Sequence, residues 1–335
     1  MEVVRPTSLD ADFAARHWYR LSPVSVLLFP VSLVFRLLVA LRRLLFRAGA
    51  LPSVRLHVPV IVVGNLTVGG TGKTPLILAL AEALRRKGLH PGILSRGYGG
   101  TDAGPRAVSA GEDAAQVGDE PLVLAERSGC PVWIGADRAA AARALLAAHA
   151  RCDVILCDDG LQHYRLQRDF EIAVEDERGF GNGLLLPAGP LREPAGRRVD
   201  ATVVNGAEPR PGAFRMRLIP AGLYRVDAHA APLMQSELSG KKLHAVAGIG
   251  NPERFFAGLS RMGLAFSAHP FPDHHAFRAA DLEFADCDFV LMTEKDAVKC
   301  RDFGRRDLIA VRVGAEIDPS LTELILERIH GRATS

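Results

Sequence analysis

Residues 64–75 read Gly-Asn-Leu-Thr-Val-Gly-Gly-Thr-Gly-Lys-Thr-Pro and follow directly on the apolar run Val58–Val63. A strand that ends in a glycine-rich turn and opens a helix with Gly-Lys-Thr is a phosphate-binding loop. Backbone N–H groups of the turn and helix start point at phosphate oxygens, Lys73 adds a point charge, and the Thr74 hydroxyl can ligate Mg²⁺. The cradle comprises Thr67, Val68, Gly69, Gly70, Thr71, Gly72, Lys73 and Thr74, with a helix predicted over Leu76–Arg86. The usual spacing places Gly six positions before the lysine, where this chain has Thr67. A glycine turn that merely joins strand to helix does not account for Lys and Thr at the helix start. The motif names a nucleotide phosphate and leaves the acceptor open.

A chain of 335 residues can hold two domains and a sizeable core. The net charge of +3 is small, which argues against nucleic acid as a partner. Five cysteines, with no Cys-x-x-Cys pair, argue against a disulfide framework or zinc site and fit a reducing compartment that holds ATP. No obligate protein partner is evident.

The charge distribution is more informative than its sum. Between Asp12 and Glu82 there is no acidic residue, while Arg16, Arg20, Arg36, Arg42, Arg43, Arg47 and Arg55 all fall there. Leu21–Phe35 is uncharged and interrupted by Pro23 and Pro30, which argues against an unaided bilayer crossing. From Arg36 to Arg47 a helix would carry Arg36, Arg43 and Arg47 as one stripe among Leu and Phe. Such a helix lies in a membrane interface, with guanidiniums at anionic head groups. A signal peptide lacks its small-residue cleavage site here, and a helix packed on the domain is the remaining alternative.

Downstream, strands are predicted at Pro91–Ser95, Pro131–Ile134, Val154–Cys157, Phe170–Val174 and Ala201–Val204, with helices at Glu120–Ser128 and Ala136–Ala150. This alternation predicts an α/β fold of the P-loop NTPase type: a mainly parallel sheet with helices on both faces. The rhythm lapses in Pro- and Ala-rich sequence and resumes at Leu243–Ala247, Pro252–Met262, Phe289–Met292 and Ser320–Ile329. The predicted organisation is a membrane-associated segment over 1–50, a kinase core over 51–215, a linker over 216–240 and a smaller α/β domain over 241–335.

Asp158 and Asp159, closing an apolar strand, suit the carboxylate position that holds Mg²⁺ or its water shell, although Asp-Gly is also a common turn pair. Asp119 in Gly118-Asp-Glu-Pro121 reads equally as a helix N-cap. Pro272-Asp-His-His275 is a base-and-orienter pair or a solvated turn. Leu191-Arg192-Glu193-Pro194 puts a cation and a carboxylate on one loop.

In combination these segments resemble the tetraacyldisaccharide 4'-kinase family of lipid A biosynthesis. The resemblance runs over nearly the whole chain: the basic apolar N-terminus, residues 64–75, Leu-Ser-Arg-Gly-Tyr-Gly (94–99), Gly-Asp-Glu-Pro (118–121), Asp-Asp-Gly-Leu-Gln-His (158–163) and Gly-Pro-Leu-Arg-Glu (189–193). It continues with Gly-Ile-Gly-Asn-Pro-Glu-Arg-Phe (248–255), Phe-Pro-Asp-His-His (271–275) and Thr-Glu-Lys-Asp-Ala-Val-Lys (293–299). Thr67 is a feature of that family's loop. The resemblance implies ATP-dependent phosphorylation of the 4′-hydroxyl of a tetraacylated glucosamine disaccharide 1-phosphate, at the cytoplasmic face of a bacterial inner membrane. It implies Asp119 as general base, His274 as its support, and Lys73 on the β/γ-phosphates. Thr74, Asp159 and Glu193 would serve Mg²⁺, with Asp158, Gln162, His163 and Arg192 around the phosphates and the acceptor. Whether His274 or His275 pairs with Asp119 is left open, and domain closure is expected to bring the pair together.

Two other classes compete with a lipid kinase. A membrane-bound positioning ATPase usually carries a lysine two residues ahead of its Gly-x-Gly-Lys turn, where this chain has Val68. A GTP-binding module usually needs Asn-Lys-x-Asp, and the nearest segment here is Thr293-Glu-Lys-Asp296.

Overall fold

The computed structural model describes residues 16–206, 208–226 and 232–333. The first strand, β1 (Val60–Gly64), is buried along its whole length, as are β2 (Pro91–Ser95) and β5 (Val154–Asp158). Runs that are apolar on both faces belong in the centre of a parallel sheet covered on both sides. β1 pairs in parallel with β5 and with β6 (Phe170–Asp176). On one side the sheet continues through β2 to β4 (Val132–Ile134) and a short antiparallel edge, β3 (Arg106–Val108). On the other it continues through β6 to β7 (Ala201–Asn205) and β8 (Phe214–Arg225).

The helix after the phosphate-binding loop runs Lys73–Arg86 and buries Leu76, Ile77, Leu80, Ala81 and Leu84, one stripe at helical spacing. It shares a core with Ile61, Val63, Ile93 and Ile134. The opposite face of the sheet is covered by the helix Arg138–Ala148, through Ala139, Ala142 and Leu145.

The stretch read as a linker, 216–240, is not a tether. Most of β8 lies in it, and β8 pairs antiparallel with β13 (Leu308–Ile317) from Met216↔Ile317 to Arg225↔Ile309. β9 (Pro232–Leu233) adds to β8. Beyond β13 the sheet runs on in parallel through β12 (Phe289–Thr293), β10 (Leu243–Ala247) and β11 (Ser267–Pro270). The two halves therefore share one continuous sheet. The helix Pro252–Arg261 packs Phe255, Phe256 and Leu259 into a separate core of the second half. The last helix, Pro319–Ala333, returns to the first half, where Leu321, Ile325 and Ile329 join the core of Ile61 and Ile77. The expected boundary at 241 thus assigns that helix to the wrong half.

Pro23–Arg47 is one helix of 25 residues, about 37 Å long at 1.5 Å per residue. The prolines do not break it as expected: Pro23 sits in the first turn, where a missing N–H costs nothing, and Pro30 lies on the exposed side. By length and composition this helix is able to cross a membrane. Its polarity is inverted relative to a soluble helix. The buried residues are Ser25 and Ser32, while Val26, Leu27, Val31, Val34, Leu37, Leu38, Leu41 and Leu44 are exposed. Ser32 Oγ donates to the Leu185 carbonyl at 2.6 Å, Phe35 packs on the core, and Arg43 lies 3.8 Å from buried Glu193. Of the expected arginine stripe, Arg36 and Arg47 remain exposed while Arg43 turns inward.

Candidate active site

One cavity of about 880 Å³ lies between the two halves of the molecule. Its floor is the glycine-rich loop between β1 and the helix Lys73–Arg86. Gly72, directly before that helix, has φ 99°, and a Cβ there would meet Asn205 Nδ2 at 2.6 Å, so only glycine fits. Three side chains that the sequence reading missed brace the loop. Asn65 Nδ2 donates to the Gly69 carbonyl (3.0 Å), Arg178 Nη2 to that of Gly70 (2.9 Å), and Asn205 Nδ2 to that of Thr71 (2.9 Å). Using carbonyls this way leaves the N–H groups of residues 69–72 for an anionic ligand, whereas that of Val68, expected in the cradle, donates to the Pro190 carbonyl at 2.9 Å. No acidic residue stands in the first helical turn, so the helix dipole meets the cavity uncompensated.

Lys73 Nζ donates to Asn65 Oδ1 at 3.2 Å and lies 3.8 Å from Asp159 Oδ1. Asp159 has a left-handed backbone, φ 45°, and both of its oxygens accept from Arg192, at 3.0 and 2.9 Å. Burial raises the carboxyl's proton affinity, but the Lys73 and Arg192 cations outweigh it and hold Asp159 well below the usual carboxylate range. Arg192 also donates to Asn65 at its backbone carbonyl (2.9 Å) and its side-chain oxygen. Lys73, Asn65, Asp159 and Arg192 therefore form one network at the cavity floor, and Gln162 Nε2 joins it through the Asn65 carbonyl (3.4 Å).

Glu193 does not join this group, contrary to its expected role with Mg²⁺. It is buried and turned into the body. Oε1 accepts from Arg197 Nη1 at 2.6 Å and Oε2 from the Tyr164 hydroxyl at 2.7 Å. The two side chains leave this loop in different directions, so Arg192 reaches the cavity while Glu193 is held in the body. Asp158 is better suited to a cation. It lines the cavity, Oδ2 accepts from Ser95 Oγ at 3.2 Å, and Oδ1 is buried without a partner. Burial, and then the Glu120 carboxylate, push its pKa upward, a state that a bound cation would reverse. Among the described residues no cluster of three or more His, Cys, Asp or Glu is placed to hold a metal by itself.

The wall opposite the loop comes from the second half. Gly250 approaches so closely that a Cβ on it would lie 2.8 Å from the Gly70 nitrogen. His274, with φ 58°, lines the cavity, and its Nδ1 lies 3.1 Å from Asp119 Oδ2. His275 instead pairs with Asp281 at 3.1 Å, which decides between the two histidines. The contact expected from domain closure is thus present in this structure. Asp119 is buried behind His274, and Lys299 Nζ lies 3.4 Å from it. His274, Lys295 and Lys299 outweigh the burial of Asp119 and keep it ionised far below its usual range. The hydrogen bond to Asp119 raises the pKa of His274.

At the side nearest the apolar helix the cavity is cationic. Arg42 of that helix lines it together with Arg96, Arg138 and His163. Arg138 is buried, and its guanidinium donates to two carbonyls, those of Gly135 and Asp158, at 3.2 Å each, with Nε unpartnered. His163 Nε2 is likewise buried and unpartnered, and burial followed by Arg138 pushes its pKa down to about 4. A buried guanidinium without a carboxylate hydrogen-bond partner, beside a neutral imidazole with a free ring nitrogen, suits an anionic ligand.

The family description Tetraacyldisaccharide-1-P 4'-kinase (LpxK) matches residues 24–330. A tetraacyldisaccharide 4'-kinase from Azoarcus sp. is 54% identical over 328 residues, covering 95% of this chain and 96% of that protein. Another from Methylobacillus flagellatus is 51% identical, covering 94% and 95%. A crystal structure of LpxK from Aquifex aeolicus in complex with ATP superposes with a TM-score of 0.78 at 30% identity, covering 91% of this chain and 99% of that one. The phosphate loop, the paired aspartates and the Asp119–His274 contact thus sit in a chain that belongs to the tetraacyldisaccharide-1-phosphate 4'-kinase family.

Proposed function

We propose that this chain transfers the γ-phosphoryl group of ATP to the 4′-hydroxyl of a tetraacylated glucosamine disaccharide 1-phosphate, working at the cytoplasmic face of the inner membrane. The observation that carries this reading is a single cavity lined by the phosphate-binding loop, by His274, and by Arg42 of an outward-apolar helix. Donor, proton acceptor and membrane surface therefore meet in one space.

Phosphoryl transfer asks mainly for positioning and charge stabilisation. The N–H groups of residues 69–74 and the Lys73 ammonium hold the β/γ-phosphates. Thr74, Asp158 and Asp159 are the residues that would hold Mg²⁺, and Glu193 is not. Mg²⁺ bound there neutralises phosphate charge and orients the transferring group. Asp119 and His274 act as a pair on the acceptor hydroxyl. His274 lines the cavity and Asp119 stands behind it, so the imidazole receives the proton and the Asp119 carboxylate fixes and stabilises it. That ordering differs from the sequence expectation of Asp119 at the hydroxyl. Arg138 and His163 offer donors to the acceptor's 1-phosphate.

Incubation with γ-labelled ATP and the acceptor lipid tests the reading. Label in the lipid supports the kinase, whereas release of free phosphate at the same rate with and without lipid would favour an ATPase switch.

The apolar helix is proposed to lie in the membrane interface. It is held to the body at Ser25, Ser32, Phe35 and Arg43, along most of its length, so its exposed leucines form a face to be laid on lipid. Each leucine moved from water into lipid contributes about 1.5–3 kcal/mol. Replacing exposed Leu27 and Leu38 together by Asp is therefore expected to lower partitioning onto anionic vesicles by ~10²-fold or more. Sedimentation with vesicles reads this directly, and undiminished pelleting would place the anchor elsewhere.

A further inference from the structure

The segment Thr293–Lys299 stands out in the sequence, yet the phosphoryl-transfer reading leaves most of it unused. Lys299 Nζ lies 3.4 Å from Asp119 Oδ2 and donates to Asp296 Oδ1 at 3.0 Å. Asp296 is fully buried, and its other oxygen accepts from the backbone N–H of Gly248 (3.0 Å) and from Thr293 Oγ1 (2.8 Å). The Gly248 carbonyl accepts from the backbone N–H of His274 at 3.1 Å. His274 Nδ1 returns to Asp119. The contacts close a ring: Asp119, Lys299, Asp296, Gly248, His274.

This ring has two properties that a simple structural ion pair lacks. It grips His274 through both its backbone and its side chain, and it holds that residue in a left-handed conformation that non-glycine residues seldom adopt. Gly248 belongs there for want of room, since a Cβ would stand 3.1 Å from Asp296 Oδ1 and 3.2 Å from the His275 Cβ. The ring also places one cation and one anion beyond the Asp119–His274 pair, where both act on the imidazole's charge.

We propose that Lys299 is a positioning residue of the proton-accepting pair, fixing Asp119 directly and His274 through Asp296 and Gly248. The inference rests on the reading of Asp119 and His274 as that pair. The other charged groups facing the pair are Lys295, Glu120 and Asp273, with Tyr98 against the imidazole face. Lys295 is engaged with Glu120, so Lys299 is the cation shared between Asp119 and Asp296. As a cation near the imidazole, Lys299 opposes protonation of His274. Asp296 partly cancels that effect.

The test uses the full-length enzyme and the lipid acceptor, with kcat and KM measured across pH. Lys299→Met is expected to lower kcat by ~10-fold or more, the scale on which outer hydrogen-bond partners act, with the KM for ATP little changed. Its acid limb should move to higher pH by about half a unit or more, because a repelling cation has gone. Asp296→Asn should move that limb the opposite way, since Lys299 is then less neutralised. Lys299→Arg should restore the position of the limb. Opposite shifts support the proposal, and a residue that merely stabilises the fold would not produce them. If the limb stays put in both variants while His274→Ala removes it, the role of Lys299 is overturned alone. A limb that persists in His274→Ala overturns the pair itself.

Discussion

Replacing Asp119 by alanine is expected to reduce turnover by ~10²–10⁴-fold, the usual scale for losing a general base or its essential partner, with ATP binding little changed. The pH dependence follows from the direction of the shifts. Asp119 stays ionised far below neutrality, so it contributes no limb in the working range. His274 has its pKa raised above 6.5 by the hydrogen bond to Asp119, and it accepts a proton only when neutral. Activity should therefore rise with pH through a midpoint above 6.5. In Asp119→Asn the imidazole loses its anion, so the residual activity should show that midpoint shifted downward. The same linkage has a stability side. The His274–Asp119 ion pair contributes fully below the unfolded histidine's pKa and is lost as pH rises through the raised folded value. The enzyme should thus be most active where this contact is weakest. Rates of Asp119→Ala and His274→Ala across pH 5.5–9 check the assignment: unchanged turnover in Asp119→Ala would remove the pair, and near wild-type turnover in His274→Ala alone would return the proton to Asp119.

Much of this site was legible because its signals are local. The phosphate loop needs glycines, a lysine and a threonine at fixed offsets from a strand end, and β1 and the helix Lys73–Arg86 stand where that pattern puts them. The central strands were legible for the same reason, since a short run buried on both faces admits few residue types. Non-local geometry was not legible. Arg192 and Glu193 look alike as site candidates on one loop, but the fold of that loop sends them apart, one to Asp159 and one to Arg197. The seam between the halves was hidden because β8 pairs with β13, far along the chain, and carries Pro220 where the register slips between Arg312 and Val313. Proline at such an irregularity gives up no regular ladder bond, yet in sequence it reads as a strand breaker. Asn65 had a signal in its place directly after β1, whereas Arg178 and Asn205 reach the loop from distant strand ends and had none.

Lys73→Met is expected to lower kcat/KM for phosphoryl transfer by ~10²–10³-fold, the range seen when one preorganised donor to developing transition-state charge is removed. Methionine keeps the alkyl length of a side chain that is 11% exposed, so the packing against the loop survives while the charge is lost. The surrounding network limits the collateral effect. Asp159 keeps both of its Arg192 hydrogen bonds, and Asn65 keeps its donation to the Gly69 carbonyl and its acceptance from Arg192. The loop should therefore hold its shape, and the melting temperature should change little. Arginine should not rescue the loss. Its planar fork differs in size and donor geometry from an ammonium, and it would be placed beside Arg192 on a carboxylate already bonded at both oxygens. The kinetic pattern carries the decision. A fall in kcat with the KM for ATP nearly constant means that Lys73 acts on the charge that develops during transfer. A rise in KM with kcat unchanged would mean that it only binds ATP in the ground state, and the transition-state role assigned to it would be wrong.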